Sequence, residues 1–377
     1  MMNCYLLRGC FLALCLFSAT SYAQQNCAAW PQWETFKQHF ISEQGRVIDL
    51  GSEQTITTSE GQSYGMFFAL LANDQATFDK LLDWTQIHLA EGDLSTRLPA
   101  WQWGRARDGN ERILDSNPAS DSDLWIAYSL SQAAELWQNR RYAVLASVMA
   151  MRIIREETAY LPNLGLSLLP APAGFDYDKQ GWKLNPSYAP LFILQQFSQR
   201  YPHSPWQQLH DASATMLLAT SNQGVSPDWV MYQPDKGFYY DKQTTDLGSY
   251  NAIRVYLWAA MMAENAPYRD ELIKQFAPVV EHLTENLKSP LNSFAKTGKM
   301  SKSGPRGFDA ALMPLLAIYD EHETLTALQQ QLMVDTSFTT HRYYDSVLYL
   351  FATSTLNKRF EIDEHGKLTP NWSTGCR

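Results

Sequence analysis

The 377-residue chain predicts an all-α fold, an (α/α)6 barrel: a toroid of six inner and six outer helices with a small β-hairpin insertion. Three observations point there. Twelve windows carry apolar residues at spacings of three and four, the period of a helix face. They alternate between near-continuous apolar runs with small residues, such as GMFFALLA, and striped runs, such as FDKLLDWTQIHLA. The first kind is apolar all round and belongs inside; the second has one wet face. The apolar kind starts near residues 62, 121, 187, 249, 307 and 342, mostly about 60 residues apart, the length of two helices and one long loop.

Taken in order, Arg8, the apolar run CFLALCLFSA and the small-residue site Ser21-Tyr22-Ala23 read as a secretory signal over 1–23. Residues 24–377 then form a single helical domain. Cleavage leaves 354 residues and takes the formal charge from −9 to −10, because the signal holds Arg8 and no acid. Three of the five cysteines leave with it. Cys27 and Cys376, near the two ends of the mature chain, are placed to pair in an oxidising compartment, with two free thiols as the alternative.

Helical windows follow at 31–44, 62–73, 75–90, 121–138, 139–157, 187–199, 205–220, 249–263, 268–287, 307–319, 322–333 and 342–354. The loops at 91–120, 158–186, 221–248 and 288–306 are long and rich in Gly, Pro and Trp, and structureless loops of that length usually carry function. Within them, WVMYQPDKGFYY (229–240) reads as a β-hairpin turning on Pro234-Asp235-Lys236-Gly237. No segment of the mature chain reaches about 18 unbroken apolar residues, so no membrane span is expected. Net acidity without a basic tract argues against nucleic acid as a partner.

Two acidic sites stand at inner-helix starts. TTSEGQSYGM (57–66) sets Glu60 among small and hydrogen-bonding residues. ASDSDLW (119–125) crowds Asp121 and Asp123 beside Asp115 and Asn117. Each has a plain reading as a helix cap. Glu60 and Asp121, however, lie 61 residues apart, about one helical repeat, which puts both carboxylates at the same end of the toroid. If one is held protonated and the other ionised, they form an acid and its counterpart. The loops supply aromatic rings beside short polar groups, among them Trp101, Trp103, Trp182, Tyr188 and Tyr250. Such rings suit the C–H faces of sugars, although some of the twelve tryptophans are simply core. There is no HExxH, P-loop, GxSxG or dinucleotide fingerprint. That leaves a cofactor-free, carboxylate-driven hydrolysis without metal.

At the level of motifs the mature chain resembles glycoside hydrolase family 8. The resemblance rests on EQGRVID (43–49), TTSEGQSYGMF (57–67), LDSNPASDSDLW (114–125), LNPSY (184–188), VSPDWV (225–230) and SYNAIRVYLW (249–258). Ser122 departs from the Ala or Gly that the family favours. The resemblance implies an (α/α)6 barrel with a cleft and inverting endo-hydrolysis of β-1,4-glucan. It also implies a periplasmic or secreted place beside the cellulose synthase export complex. It puts the general acid at Glu60 and a conserved acid, nucleophile-like or sugar-positioning, at Asp121. Substrate contacts fall to Arg254, Asp123 and the aromatics above. The usual base position is Asn251, and an amide does not take water's proton as a carboxylate does. Three accounts stand open: a substitute base at Asp246 or Asp241, water activation by Asp121, or a non-catalytic glucan-binding component of export. Chitosan, xylan and mixed-linkage glucan are the alternative substrates within the family.

Overall fold

The structure, a computed structural model, describes residues 29–177 and 181–375. The expected signal segment, Cys27 and Cys376 lie outside the described residues. The chain opens with α1 (Pro31–Phe40), α2 (Ser59–Leu71), α3 (Gln75–Trp84), α4 (Ser120–Leu136) and α5 (Arg140–Glu156). It continues through α6 (Leu191–Arg200), α7 (Trp206–Thr220), α8 (Ala252–Met261), α9 (Arg269–Gln275) and α10 (Ala277–Asn286). It closes with α11 (Arg306–Ile318), α12 (His322–Val334), the short α13 (Phe338–His341) and α14 (Tyr343–Leu356).

Helices α2, α4, α6, α8, α11 and α14 form the inner ring of an (α/α)6 toroid, and they are the apolar set of the sequence. Almost every residue of α2 and α4 is buried, polar ones included. The ring has no hollow at its waist. Tyr64, Phe67, Trp125, Trp258 and Phe351 meet there from α2, α4, α8 and α14, with ring centroids 4.9–6.1 Å apart in edge-on, tilted or stacked pairs. That plug confines any site to one end of the ring.

The predicted window 268–287 is two helices. Pro278 has no N–H to continue a helix, and the chain breaks at Phe276 between α9 and α10. The window 75–90 ends in a π turn over Thr85–Leu89. The expected hairpin at 229–240 is present, but it is one part of a larger β complement. Strands β1 (Thr57–Thr58), β2 (Gln102–Arg105) and β3 (Glu111–Asp115) form one sheet, and β4 (Thr158–Leu161) pairs with β5 (Gly165–Leu168). β6 (Trp182–Leu184), β7 (Val230–Gln233) and β8 (Gly237–Tyr239) form the sheet that contains the hairpin. β9 (Leu247–Gly248), β10 (Pro290–Phe294) and β11 (Lys299–Ser303) form another, and β12 (Phe360–Ile362) pairs with β13 (Leu368–Pro370). All described pairings are antiparallel. Strands of two to five residues are too short for an alternation to register in sequence.

The segment before α2 is locked to the ring by one side chain. Gln62 is fully buried; its Oε1 accepts from the Val47 N–H at 2.6 Å, and its Nε2 faces the Gly45 and Leu81 carbonyls and Thr85 Oγ1 at 3.0–3.2 Å. Gly45 has φ +89°, and a Cβ there would stand 2.4 Å from the Lys80 backbone. Only glycine lets the 43–49 segment lie this close to α3. We predict that Q62L, which strands these groups in a dry interior, lowers the free energy of unfolding by about 3 kcal/mol. Urea unfolding checks this, and a change under about 0.5 kcal/mol would contradict the lock.

Candidate active site

The first turns of α2, α4 and α8 and the turns preceding α6 and α14 converge at the open end of the ring. At α2, the Thr58 hydroxyl caps the helix by accepting the Gly61 N–H at 3.0 Å. The capping role is therefore taken, and the Glu60 carboxylate is free to point elsewhere. At α4 the cap position is Ala119, without a side-chain bond. Asp121 does not cap this helix as the plain reading had it. Asp121 instead accepts the Ser122 N–H at 2.7 Å and the Ser122 hydroxyl at 3.2 Å.

Arg254, on the first turn of α8, gathers these groups. Its Nη1 bonds Glu60 Oε2 and donates to Asp121 Oδ2 and the Tyr64 hydroxyl, both at 3.1 Å. Its Nη2 donates to Asn251 Oδ1 at 2.8 Å and to Ser187 Oγ at 3.1 Å. Tyr188 sets its ring 5.8 Å from the guanidinium. Ser187 is held in turn by Asn185, whose Oδ1 accepts both the Ser187 N–H and its hydroxyl. The Arg254 side chain is 4 % exposed and that of Asp121 also 4 %, whereas Glu60 keeps 22 %. That difference decides which carboxyl faces solvent: Glu60 opens on a cavity of about 220 Å³ lined also by Asp49, Thr58, Tyr343 and Tyr344.

Burial pushes the Glu60 carboxyl up; the guanidinium pulls it back, and the Asp121 charge adds to the rise, with a net upward shift. Burial also raises Asp121, against Arg254 and the two Ser122 donors. Of the pair, Asp121 has more donors stabilising its anion. Glu60 is therefore the member that holds a proton longer.

Asn251 sits where its amide oxygen is occupied by Arg254. The two carboxylates put forward as substitute bases do not join this cluster. Asp246 accepts the Lys296 N–H at 3.1 Å in the β9–β10 region. Asp241 is exposed and closes its own turn by accepting the Gln243 and Thr244 N–H groups. Both carboxylates are thus committed to loop geometry.

The carboxylate delivered to Asn251 is Asp228, which the sequence analysis left inside a quoted motif without a role. Its Oδ1 accepts the backbone N–H groups of Ser249, Asn251 and Ala252 at 2.8–2.9 Å. Its Oδ2 takes no hydrogen bond from the described residues, and the residue is half-buried. Burial raises the Asp228 carboxyl, against those amides and Arg254. Its charge is also felt by Tyr344, which lines the Glu60 cavity.

The aromatic expectations divide. Trp101 is half-buried, and its carbonyl accepts the Ser59 N–H beside Glu60. Tyr250 is 52 % exposed, with its ring against Phe308 and Tyr344 and its carbonyl accepting the Tyr344 hydroxyl at 2.6 Å. Trp103 is a correction: it is packed edge-on to Trp84 under the Arg46 guanidinium, which lies 4.3 Å from the ring centre. No face of that ring is left for a sugar. Trp182 stands opposite Tyr232 in the β6–β7 ladder, half-buried against the core. Asp123 is the second correction. It is fully buried and faces Glu157, so it cannot meet substrate. Ser187, Tyr64 and Asn185 also went unread, although each lies in a quoted motif; nothing in the sequence distinguished Tyr343 and Tyr344.

A profile described as "Glycosyl hydrolases family 8" matches residues 5–358. An endoglucanase of Escherichia coli (strain K12) is 42% identical over 370 residues, covering 98% of each chain. An endoglucanase of Xanthomonas axonopodis pv. citri is 37% identical over 96% of this chain and 94% of its own. Among solved structures, an endo-1,4-D-glucanase from Vibrio fischeri ES114 superposes with a TM-score of 0.88 at 43% identity, covering 91% of this chain and 99% of that one.

The Arg254 contacts make a charge prediction. In R254M the Glu60 carboxyl loses the cation that lowers it, so its titration midpoint rises. Carbon-13 NMR of labelled glutamate, assigned by comparison with E60Q, reads that midpoint; an unchanged or lower value would contradict the assignment of Arg254 as the dominant counter-charge.

Proposed function

The chain belongs to glycosyl hydrolase family 8 and hydrolyses β-1,4-glucosidic bonds of cellulose-like glucan in endo fashion; we propose that it does so by inversion, with Glu60 as general acid and Asp228 in place of the missing base. The observation that carries this reading is the single guanidinium shared by Glu60 and Asp121, which leaves the solvent-facing carboxyl with the proton. Glu60 delivers that proton to the glycosidic oxygen as the C1–O bond breaks. Asp121, anionic against Arg254 and Ser122, holds the sugar at the cleavage point and faces the positive charge that develops at C1. A water attacks C1 from the opposite side and gives its proton to Asp228 Oδ2, the oxygen free of amide bonds. Inversion requires acid and base about 6.5–9.5 Å apart with that water between them. Arg254 and Tyr344 each interact with the charges of both Glu60 and Asp228, which supports placing the two carboxyls in one site.

The test uses isosteres. E60Q lowers release of reducing ends from carboxymethyl-cellulose by about 10³-fold while cello-oligosaccharide binding persists. D228N keeps an amide oxygen for the three backbone N–H groups and loses only the basic site, so it shows a similar fall. N251D introduced into D228N restores part of the activity if the loss is of a base, because a carboxylate at 251 lies against Arg254 Nη2. D228N with wild-type turnover would remove Asp228 from the mechanism.

We also propose that the protein works in the periplasm or outside the cell, beside the cellulose export machinery. The Arg8-led apolar run and Ser21-Tyr22-Ala23 support that placement. Cell fractionation and N-terminal sequencing check it, with mature protein beginning at Gln24 expected and cytoplasmic full-length protein counting against it.

A further inference from the structure

Two residues on from Asp121 along the first turn of α4, Asp123 meets Glu157, the C-cap residue just after α5. Both are 0 % exposed. All four carboxyl oxygens are buried, and no donor among the described residues reaches any of them. Asp123 and Glu157 nevertheless lie within hydrogen-bonding reach of each other. Two carboxylates are both acceptors, so a bond between them requires that one carry a proton. The charged groups facing the pair are acids: Asp121 on α4 and Glu156 on α5. Glu156 is already paired with Arg152 and Arg155, and Arg254 with Asp121 and Glu60. The neighbouring titratable hydroxyl, Tyr188, feels the Glu157 charge and belongs to a half-buried residue. Among the described residues no cation is left to offset a doubly ionised pair.

We propose that Asp123 and Glu157 share one proton, Glu157 donating and Asp123 accepting, and that this bond positions the first turn of α4 and with it Asp121. Neither residue touches the sugar; both act through Asp121. The consequence for Asp121 rests on the sugar-holding role given above, whereas the shared proton does not. The geometry is economical. Asp121 and Asp123 are two residues apart on one turn, so Asp121 is turned to Arg254 while Asp123 anchors the same turn to the end of α5. Burial raises both Asp123 and Glu157 well above the ordinary carboxylate range, in the sense a retained proton requires.

Stability carries the signature. In the unfolded chain both carboxyls ionise near their ordinary values, about 3.9 and 4.3. The folded pair keeps a proton at higher pH. Unfolding therefore releases that proton, and stability falls as pH rises from those values toward the point where the folded pair ionises. The slope is up to about tenfold in the unfolding constant per pH unit. In E157Q the amide donates without titrating, and that part of the slope disappears. In D123N the amide donates to Glu157, with the same result.

Infrared spectroscopy reads the proton directly. The E60Q background removes the other protonated carboxyl expected at neutral pH. We expect a buried-carboxyl carbonyl band in E60Q that is lost in E60Q/E157Q. E157L, which keeps bulk and removes the donor, lowers kcat more than it raises KM, and E157Q recovers kcat. Absence of the band in E60Q, or a stability slope in E157Q or D123N equal to wild type, overturns the shared proton, whatever the role of Asp121. A band lost as expected while E157L retains wild-type kcat overturns only the positioning of Asp121. If neither amide variant folds, the E60Q spectrum alone decides.

Discussion

One buried guanidinium sets the terms for the rest of the molecule. Arg254 bonds groups from the first turns of α2, α4 and α8 and from the turn that precedes α6. A charge removed from water is tolerated only where partners replace its hydration, and removal of one partner strands the others. Arg254 has one positive charge and two carboxylates within reach. The cluster therefore carries more negative capacity than it can neutralise, and a proton is the cheapest way to settle the difference. The location of that proton follows from donor count: Asp121 has Ser122 as well as Arg254, while Glu60 has Arg254 and an opening to solvent.

The toroid exists in a form that makes this convergence possible. Inner helices arranged in parallel around a ring present their N-termini at one end, where unpaired N–H groups and the helix dipole favour anions. Asp228 uses this directly, taking three N–H groups at the start of α8. The aromatic plug below keeps the polar groups at the mouth. Buried carboxylates in the first turns of α2 and α4 and the apolar runs that follow them are thus two parts of one design. The apolar part makes the ring close, and its closure brings acids 61 residues apart in sequence onto the same arginine.

How much of this the residues disclosed beforehand varies with the range of the interaction. Inner helices were legible because burial on every side leaves continuous apolar runs, and the expected starts fall within a few residues of the observed ones. The short strands were not, since strands such as β1 and β9 owe their existence to a partner supplied by a distant loop. Glu60 and Asp121 could be linked by spacing. Trp103 and Asp123 could not be told from substrate-facing residues, because what covers them comes from elsewhere: Arg46 and Trp84 for one, Glu157 for the other. Asp228 escaped for a similar reason. Its neighbour in space is a backbone segment more than twenty residues on, and backbone amides leave no mark in sequence.

The amide at 251 acquires a physical meaning from these contacts. A carboxylate there would sit 2.8 Å from Arg254 Nη2 as a third anion on one cation. It would be a weak base for that pairing, and it would dilute the charge that Arg254 lends to Glu60 and Asp121. With Asn251 the guanidinium is divided between two carboxylates only. Asp228 stands one step further out, with one oxygen fixed by amides and the other outside the ion pair. A base removed from direct contact with the cation keeps more of its proton affinity, which is what activating water demands. In the proposed mechanism, separating the base from Arg254 thus lets a single arginine hold the acid and the sugar-binding carboxylate without also suppressing the group that accepts water's proton.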